Sequence, residues 1–152
     1  MVINQLSGET MQQLRAMLEQ MNIYALALEE ISKQEQEAIH VLDSERIMQL
    51  SERRVAVHQQ LGAVEAECHG LLKRKGIDDD MTLAMVIDMY TGTQAAEFQA
   101  LRRKLYERIV HVDKCTQENR LHLLAAYNVT STILQGLGLS QNENTYSRST
   151  VK

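Results

Sequence analysis

The amino-acid sequence predicts an all-α fold: an elongated antiparallel three-helix bundle or coiled coil, with a short extra helix between helices two and three and a flexible C-terminal tail. Three observations carry this expectation. Proline is absent from the 152 residues, glycine is limited to 7 and aromatics to 4%, so the turn-rich, aromatic composition of all-β folds is missing. Apolar residues recur at alternating steps of three and four along three long segments, the spacing of one face of a coiled-coil-like helix. Each segment is bounded by residues that start or stop helices. With 44% apolar residues, a chain of this length supplies the core of one domain, read as residues 1–139, with a tail over 140–152.

The first helix is expected to start near Thr10, because Thr10 and Gln13 have capping-box spacing. Its stripe runs through Met11, Leu14, Leu18, Met21, Ala25, Leu28, Ser32, Glu35, Ile39 and Leu42, with Ser32 and Glu35 as polar exceptions. Asp43 and Ser44 carry short oxygen-bearing side chains that satisfy amides at a helix start, so a break belongs there. The second helix repeats the pattern through Ile47, Leu50, Arg54, Val57, Leu61, Val64, Cys68 and Leu71, with Arg54 as the charged exception. Lys73, Arg74 and Lys75 place positive charge at its carbonyl end, and Gly76 can take the left-handed cap conformation.

Asp78-Asp79-Asp80 then opens a short helix with Met81, Met85 and Met89 at steps of four, flanked by Leu83, Val86, Ile87 and Tyr90. This segment reads as a lid or strut over one end of the bundle. Thr91 and Gln94 repeat the capping-box spacing. The third long helix is expected from about Gln94 to Leu137, its stripe passing through Phe98, Leu105, Ile109, Val112, Thr116, Asn119, Leu123, Ala126, Thr130, Ile133 and Leu137. Helices of about 30 to 40 residues span about 45 to 60 Å each. The short break makes the first two antiparallel, and the third packs along them. From Ser140 the chain turns to Ser, Gln, Asn, Glu and Thr, with Tyr146 its one aromatic; such a segment cannot bury enough surface to fold alone and is expected to be mobile.

The net charge of −4 argues against capture of a phosphate backbone, which needs a basic face, so nucleic acid is excluded as a partner. Cys68 and Cys115 can form at most one bridge, which fits a reducing compartment. The N-terminus lacks a cationic start followed by an apolar run, and no stretch of 18 apolar residues occurs. A cytoplasmic protein without membrane insertion is expected.

Chemistry is sparse. Glu37 and His40 have the Glu-x-x-His spacing of di-iron bundles, but those sites need a second pair and two more carboxylates. Cys68 and His69, with His111 and Cys115, have the residue types of a zinc site, yet adjacent residues on a helix point about 100° apart. The three consecutive Asp residues lack the spacing of a calcium loop. No nucleophile elbow, phosphate loop or dinucleotide fingerprint is present. The expectation is a protein with no catalytic residues, no metal and no cofactor, whose work is binding other proteins.

The stripes of the first two helices read as the core of the bundle itself. The third differs after Leu121, where Leu121, Leu123, Leu124, Ala125, Ala126, Tyr127, Val129, Ile133, Leu134, Leu137 and Leu139 occupy more than one face. Such breadth belongs either to a helix buried on both sides or to one that keeps a face for a partner helix.

The run Gln117-Glu118-Asn119-Arg120-Leu121-His122-Leu123-Leu124, followed by Leu134, Leu137 and then Tyr146 in a polar tail, resembles the C-terminal part of the FlgN-like flagellar type III export chaperones. The break at Leu42-Asp43 and the segment Leu50-Ser51-Glu52-Arg53-Arg54 are similar to that family's helix-two start. The resemblance implies a cytosolic chaperone that binds the C-terminal helical regions of hook-filament junction proteins, keeps them unassembled and delivers them to the flagellar export apparatus. It implies client binding by Leu121, Leu124, Tyr127, Ile133, Leu134 and Leu137, and contact with the export gate by Tyr146. Family members often have Gly soon after the terminal Tyr, whereas here Ser147-Arg148-Ser149-Thr150 follows. The alternative is a structural or adaptor coiled coil that forms a homodimer through the same stripes.

Overall fold

The structure, a computed structural model, describes residues 5–138. Helix α1 spans Gly8–His40 and begins earlier than the Thr10–Gln13 spacing suggests. Ser7 is the cap, its Oγ accepting from the Thr10 amide at 3.2 Å. The reason lies one residue upstream: Leu6 is buried in one cluster with Met11, a hydrophobic staple that fixes the chain's entry into the helix. The Leu6 amide also donates to the Tyr90 carbonyl at 2.9 Å.

Helix α1 stops at His40, and Leu42 turns the chain in a left-handed conformation with φ of 54°. Leu42 therefore leaves the stripe it was expected to continue and is exposed. Asp43 caps helix α2, Ser44–Arg74, by accepting from the Arg46 amide at 3.1 Å. At the far end Gly76 has φ of 83°, and the Ile77 amide reaches back to the Leu72 carbonyl at 3.1 Å. Both Leu72 and Ile77 are buried in the same cluster, the apolar contact that accompanies such a cap.

The Asp triplet does not open the next helix. Helix α3 is Leu83–Tyr90, capped by Thr82, whose Oγ1 accepts from the Met85 amide at 3.3 Å. Asp79 instead reaches back to His69 and Lys73 of α2 at 3.3 and 3.7 Å. Val86 and Ile87 face the core and Met81 packs against the same cluster while Met85 and Met89 are exposed, so the flanking residues and Met81 close the end of the bundle. Thr91 closes α3, but its side chain does not cap the next helix: it is fully buried and its hydroxyl donates to the Ile87 carbonyl. A 3₁₀ turn over Gly92–Gln94 leads into helix α4, Ala95–Gly136.

Cross-helix contacts fix the topology. Arg15 Nη2 donates to Gln94 Oε1 at 2.8 Å, Asn22 Nδ2 to the Leu101 carbonyl at 3.4 Å, and Asn119 Nδ2 to the Ser32 carbonyl at 2.9 Å. Residue numbers rise together, so α4 runs parallel to α1 and antiparallel to α2. Helix α1 lies between its two neighbours, and Leu14, Leu18, Ala25, Leu28, Ile31 and Ala38 on it are wholly inaccessible. One apolar cluster at the α3 end joins these helices through Leu14, Leu18, Cys68, Ile87 and Phe98; a second, nearer the α1–α2 turn, joins Leu28, Ile31, Leu50, Val57 and Val112.

Polar interruptions in the three stripes meet in one layer. Arg54 of α2 donates to Glu35 of α1, to Ser32 Oγ at 2.9 Å and to Thr116 Oγ1 of α4 at 2.8 Å. Thr116 Oγ1 in turn donates to the Val112 carbonyl at 2.8 Å, and Asn119 completes the layer on Ser32. The Arg54 and Glu35 side chains are only 11% and 14% exposed. A buried pair of this kind fixes the height at which helices align, because any slip leaves a charge without its partner.

Candidate functional site

The α1–α2 hairpin ends before α4 does. Beside the hairpin turn lies an open cleft of about 450 Å³, lined by Gln36, Ile39, His40, Leu42, His122 and Ala126. Beyond Ala126, α4 continues to Gly136 as regular helix, roughly ten residues or 15 Å of overhang at 1.5 Å per residue. The buried residues of α4 are Phe98, Gln99, Val112 and Asn119. None lies beyond position 119.

All six residues expected to bind a client are therefore exposed: Leu121, Leu124, Tyr127, Ile133, Leu134 and Leu137, from 38% at Leu134 to 67% at Leu137. They do not form one stripe. At about 100° per residue, Tyr127, Ile133, Leu134 and Leu137 continue the side of α4 on which Phe98, Val112 and Asn119 face the bundle. Leu121 lies on the opposite side, and Leu124 on the flank, about 110° round from the centre of the bundle-facing side. Leu123 joins the first group, and Val129 stands at its edge. The bundle-facing side of α4 thus extends past the hairpin as an apolar surface with, among the described residues, no second helix against it, while the outer leucines form a separate, smaller feature. Tyr146 lies outside the described residues.

The cleft was not foreseen in the sequence. His40, Leu42 and His122 come together only because α1 ends where it does, and the left-handed Leu42 that shapes the turn bears no local signature. The exposed Val41 and Leu42 add apolar surface at the foot of the overhang.

The remaining side chains of chemical interest are dispersed. Glu37 pairs with Arg46 at 3.6 Å, away from any second carboxylate–histidine pair. His111 Nε2 lies 3.6 Å from Cys115 Sγ at the surface, whereas Cys68 is buried in the core and its thiol is pushed up to about 11, mainly by burial and then by Glu65. Cys68 serves as a small apolar residue. Among the described residues, no three His, Cys, Asp or Glu side chains converge as a metal site would require, and no helix is long and apolar enough to cross a membrane.

The helical hairpin and the longer third helix make an all-α bundle whose end carries an exposed apolar face. The profile of the FlgN protein family matches residues 4–150, nearly the whole chain, and the protein belongs to that family of flagellar export chaperones. Searches of curated proteins and of solved structures found no match.

Proposed function

We propose that this protein is a cytosolic, non-catalytic chaperone for the C-terminal helical regions of flagellar hook-filament junction proteins, which it keeps unassembled and delivers to the flagellar type III export apparatus. The observation that carries this reading is the overhang of α4. Tyr127, Ile133, Leu134 and Leu137 offer the surface that α1 and α2 cover lower down, and the hairpin end supplies a ledge at its foot. A client helix laid on that surface extends the bundle, burying its own apolar stripe in the helix-in-groove manner. This explains how a subunit that assembles through the same stripe is kept from doing so. No nucleotide is needed, because the driving force is apolar burial. Tyr146, on the family resemblance, is the contact to the export gate.

The test is the double substitution Leu134→Asp with Leu137→Asp. Two charges on the bare face leave the thermal transition of the bundle in place and weaken binding of a junction-protein C-terminal segment by more than about 100-fold, or about 3 kcal/mol. Cooperative unfolding at much lower temperature would instead identify these leucines as core and overturn the assignment. In the same assay Tyr146→Ala keeps client affinity and lowers secretion; loss of affinity would remove the separation between the two roles.

A further inference from the structure

Helix α1 ends in a turn that satisfies itself. The amides of Val41, Leu42 and Asp43 donate to the carbonyls of Glu37, Ile39 and Ala38 at 3.3, 3.1 and 2.9 Å, so no side chain is needed to cap α1. Gln36 and His40 of α1 and His122 of α4 nevertheless line the cleft beside that turn. Among the described residues, none of the three side chains makes a hydrogen bond or ion pair within the chain. An imidazole carries at least one N–H in either protonation state, and the glutamine amide carries two. Ile39, Leu42 and Ala126 complete the lining with apolar surface, and it contains neither a carboxylate nor a hydroxyl. The acids of the turn are engaged elsewhere: Glu37 pairs with Arg46 at 3.6 Å, and Asp43 accepts from the Arg46 amide at 3.1 Å. The cleft therefore offers free donors beside an apolar wall.

A helix N-terminus brings orphan amides and needs acceptors, whereas a helix C-terminus brings orphan carbonyls and needs donors. Resting on the chaperone reading above, we infer that the cleft receives the C-terminal end of the client helix. His40, His122 and Gln36 donate to its last carbonyls and its chain-terminal carboxylate, and Ile39, Leu42 and Ala126 take its last apolar side chain. The client then runs antiparallel to α4. Chain connectivity gives a second reason for this polarity. A client bound through its C-terminal region has the rest of its chain attached at the other end of the helix. Antiparallel docking releases that end beside Gly136, away from the hairpin, whereas parallel docking would drive the rest of the subunit into the turn at Val41, Leu42 and Asp43.

A synthetic C-terminal segment of a junction protein, carrying a nitroxide near one end or the other, tests the polarity by NMR of the full chain. The label near the last residue is expected to broaden the resonances of Leu42 and Ala126, and the label near the first residue those of Gln135 and Gly136. The reverse pattern overturns this inference and leaves the chaperone reading standing; a segment that does not bind overturns both. Affinities of the double variant His40→Glu with His122→Glu, changed at exposed positions, test the recognition. It is expected to keep wild-type helicity and to bind the free-acid segment at least about tenfold more weakly, but the C-terminally amidated segment less than about threefold more weakly, because the charge-assisted bonds go to the carboxylate. The Leu134→Asp, Leu137→Asp variant weakens both forms alike, since it acts on the apolar face. An equal loss for the two forms in the histidine variant overturns the assignment of the client's carboxylate to the cleft.

Discussion

From Ala95 to Asn119, helix α4 buries Phe98, Gln99, Val112 and Asn119 against α1, α2 and α3; from Leu121 to Gly136 the same unbroken helix leaves its leucines, Tyr127, Val129 and Ile133 open. The upper part is no less apolar than the lower. What differs is the length of the neighbours, since α1 and α2 have 33 and 31 residues and α4 has 42. Burial in a bundle is decided by whether a second helix reaches the same height, and apolar composition alone does not distinguish the two halves.

Truncating an aromatic in each half is the strongest way to break this contrast. Phe98→Ala opens a cavity at a site with no solvent access and is expected to lower stability by about 3–5 kcal/mol. Tyr127→Ala is expected to change it by less than about 0.5 kcal/mol. Urea unfolding of both variants supplies the comparison, and equal losses would mean that the overhang is packed in solution. Arg54→Ala comes next, with about 3 kcal/mol, because it leaves the largely buried Glu35 carboxylate without its partner. If Arg54→Ala unfolds at the wild-type urea midpoint, the polar layer does not hold the lower half together. The smallest effect concerns His58, one turn beyond Arg54 on α2, whose pKa is held below 6.5 by burial and then by the Arg54 guanidinium. The folded protein then binds this proton less readily than the unfolded chain does. Stability is undiminished above pH 6.5 and falls as pH drops through the window below it. The solvent-screened contribution is well under about 1 kcal/mol, and His58→Gln should flatten that part of the pH–stability curve. An unchanged slope would show that another group titrates there.

Much of this was legible in the sequence because helical periodicity is local. The stripes of α1 and α2, the Asp43 start and the Gly76 stop all appear where spacing and cap chemistry put them. Three helix starts differ from the local cap chemistry for one shared reason. Thr10, Asp78 and Thr91 each have a side chain able to cap, but which candidate is used depends on tertiary anchors: the staple at Leu6, the tie from Asp79 to Lys73, and the burial of Thr91 beneath α3. The same holds for the site. The apolar pattern of α4 widens after Leu121 and leaves open whether both sides are covered; only the height of the α1–α2 turn shows that, among the described residues, neither is. That spacing alone cannot sort Leu134 from Leu124 follows too, since the division depends on the direction in which α1 lies.

The continuity of α4 has a consequence for how quickly a partner can be taken up. An isolated helix as short as the overhang would be largely unfolded in water, because starting a helix fixes several residues for a single hydrogen bond. Here the packed lower half acts as a permanent nucleus, and each turn above it only has to propagate. A helix presented in this way meets its partner already ordered, so association is limited by encounter and by the partner's own coil-to-helix transition, and the ordering entropy falls on one side of the complex only.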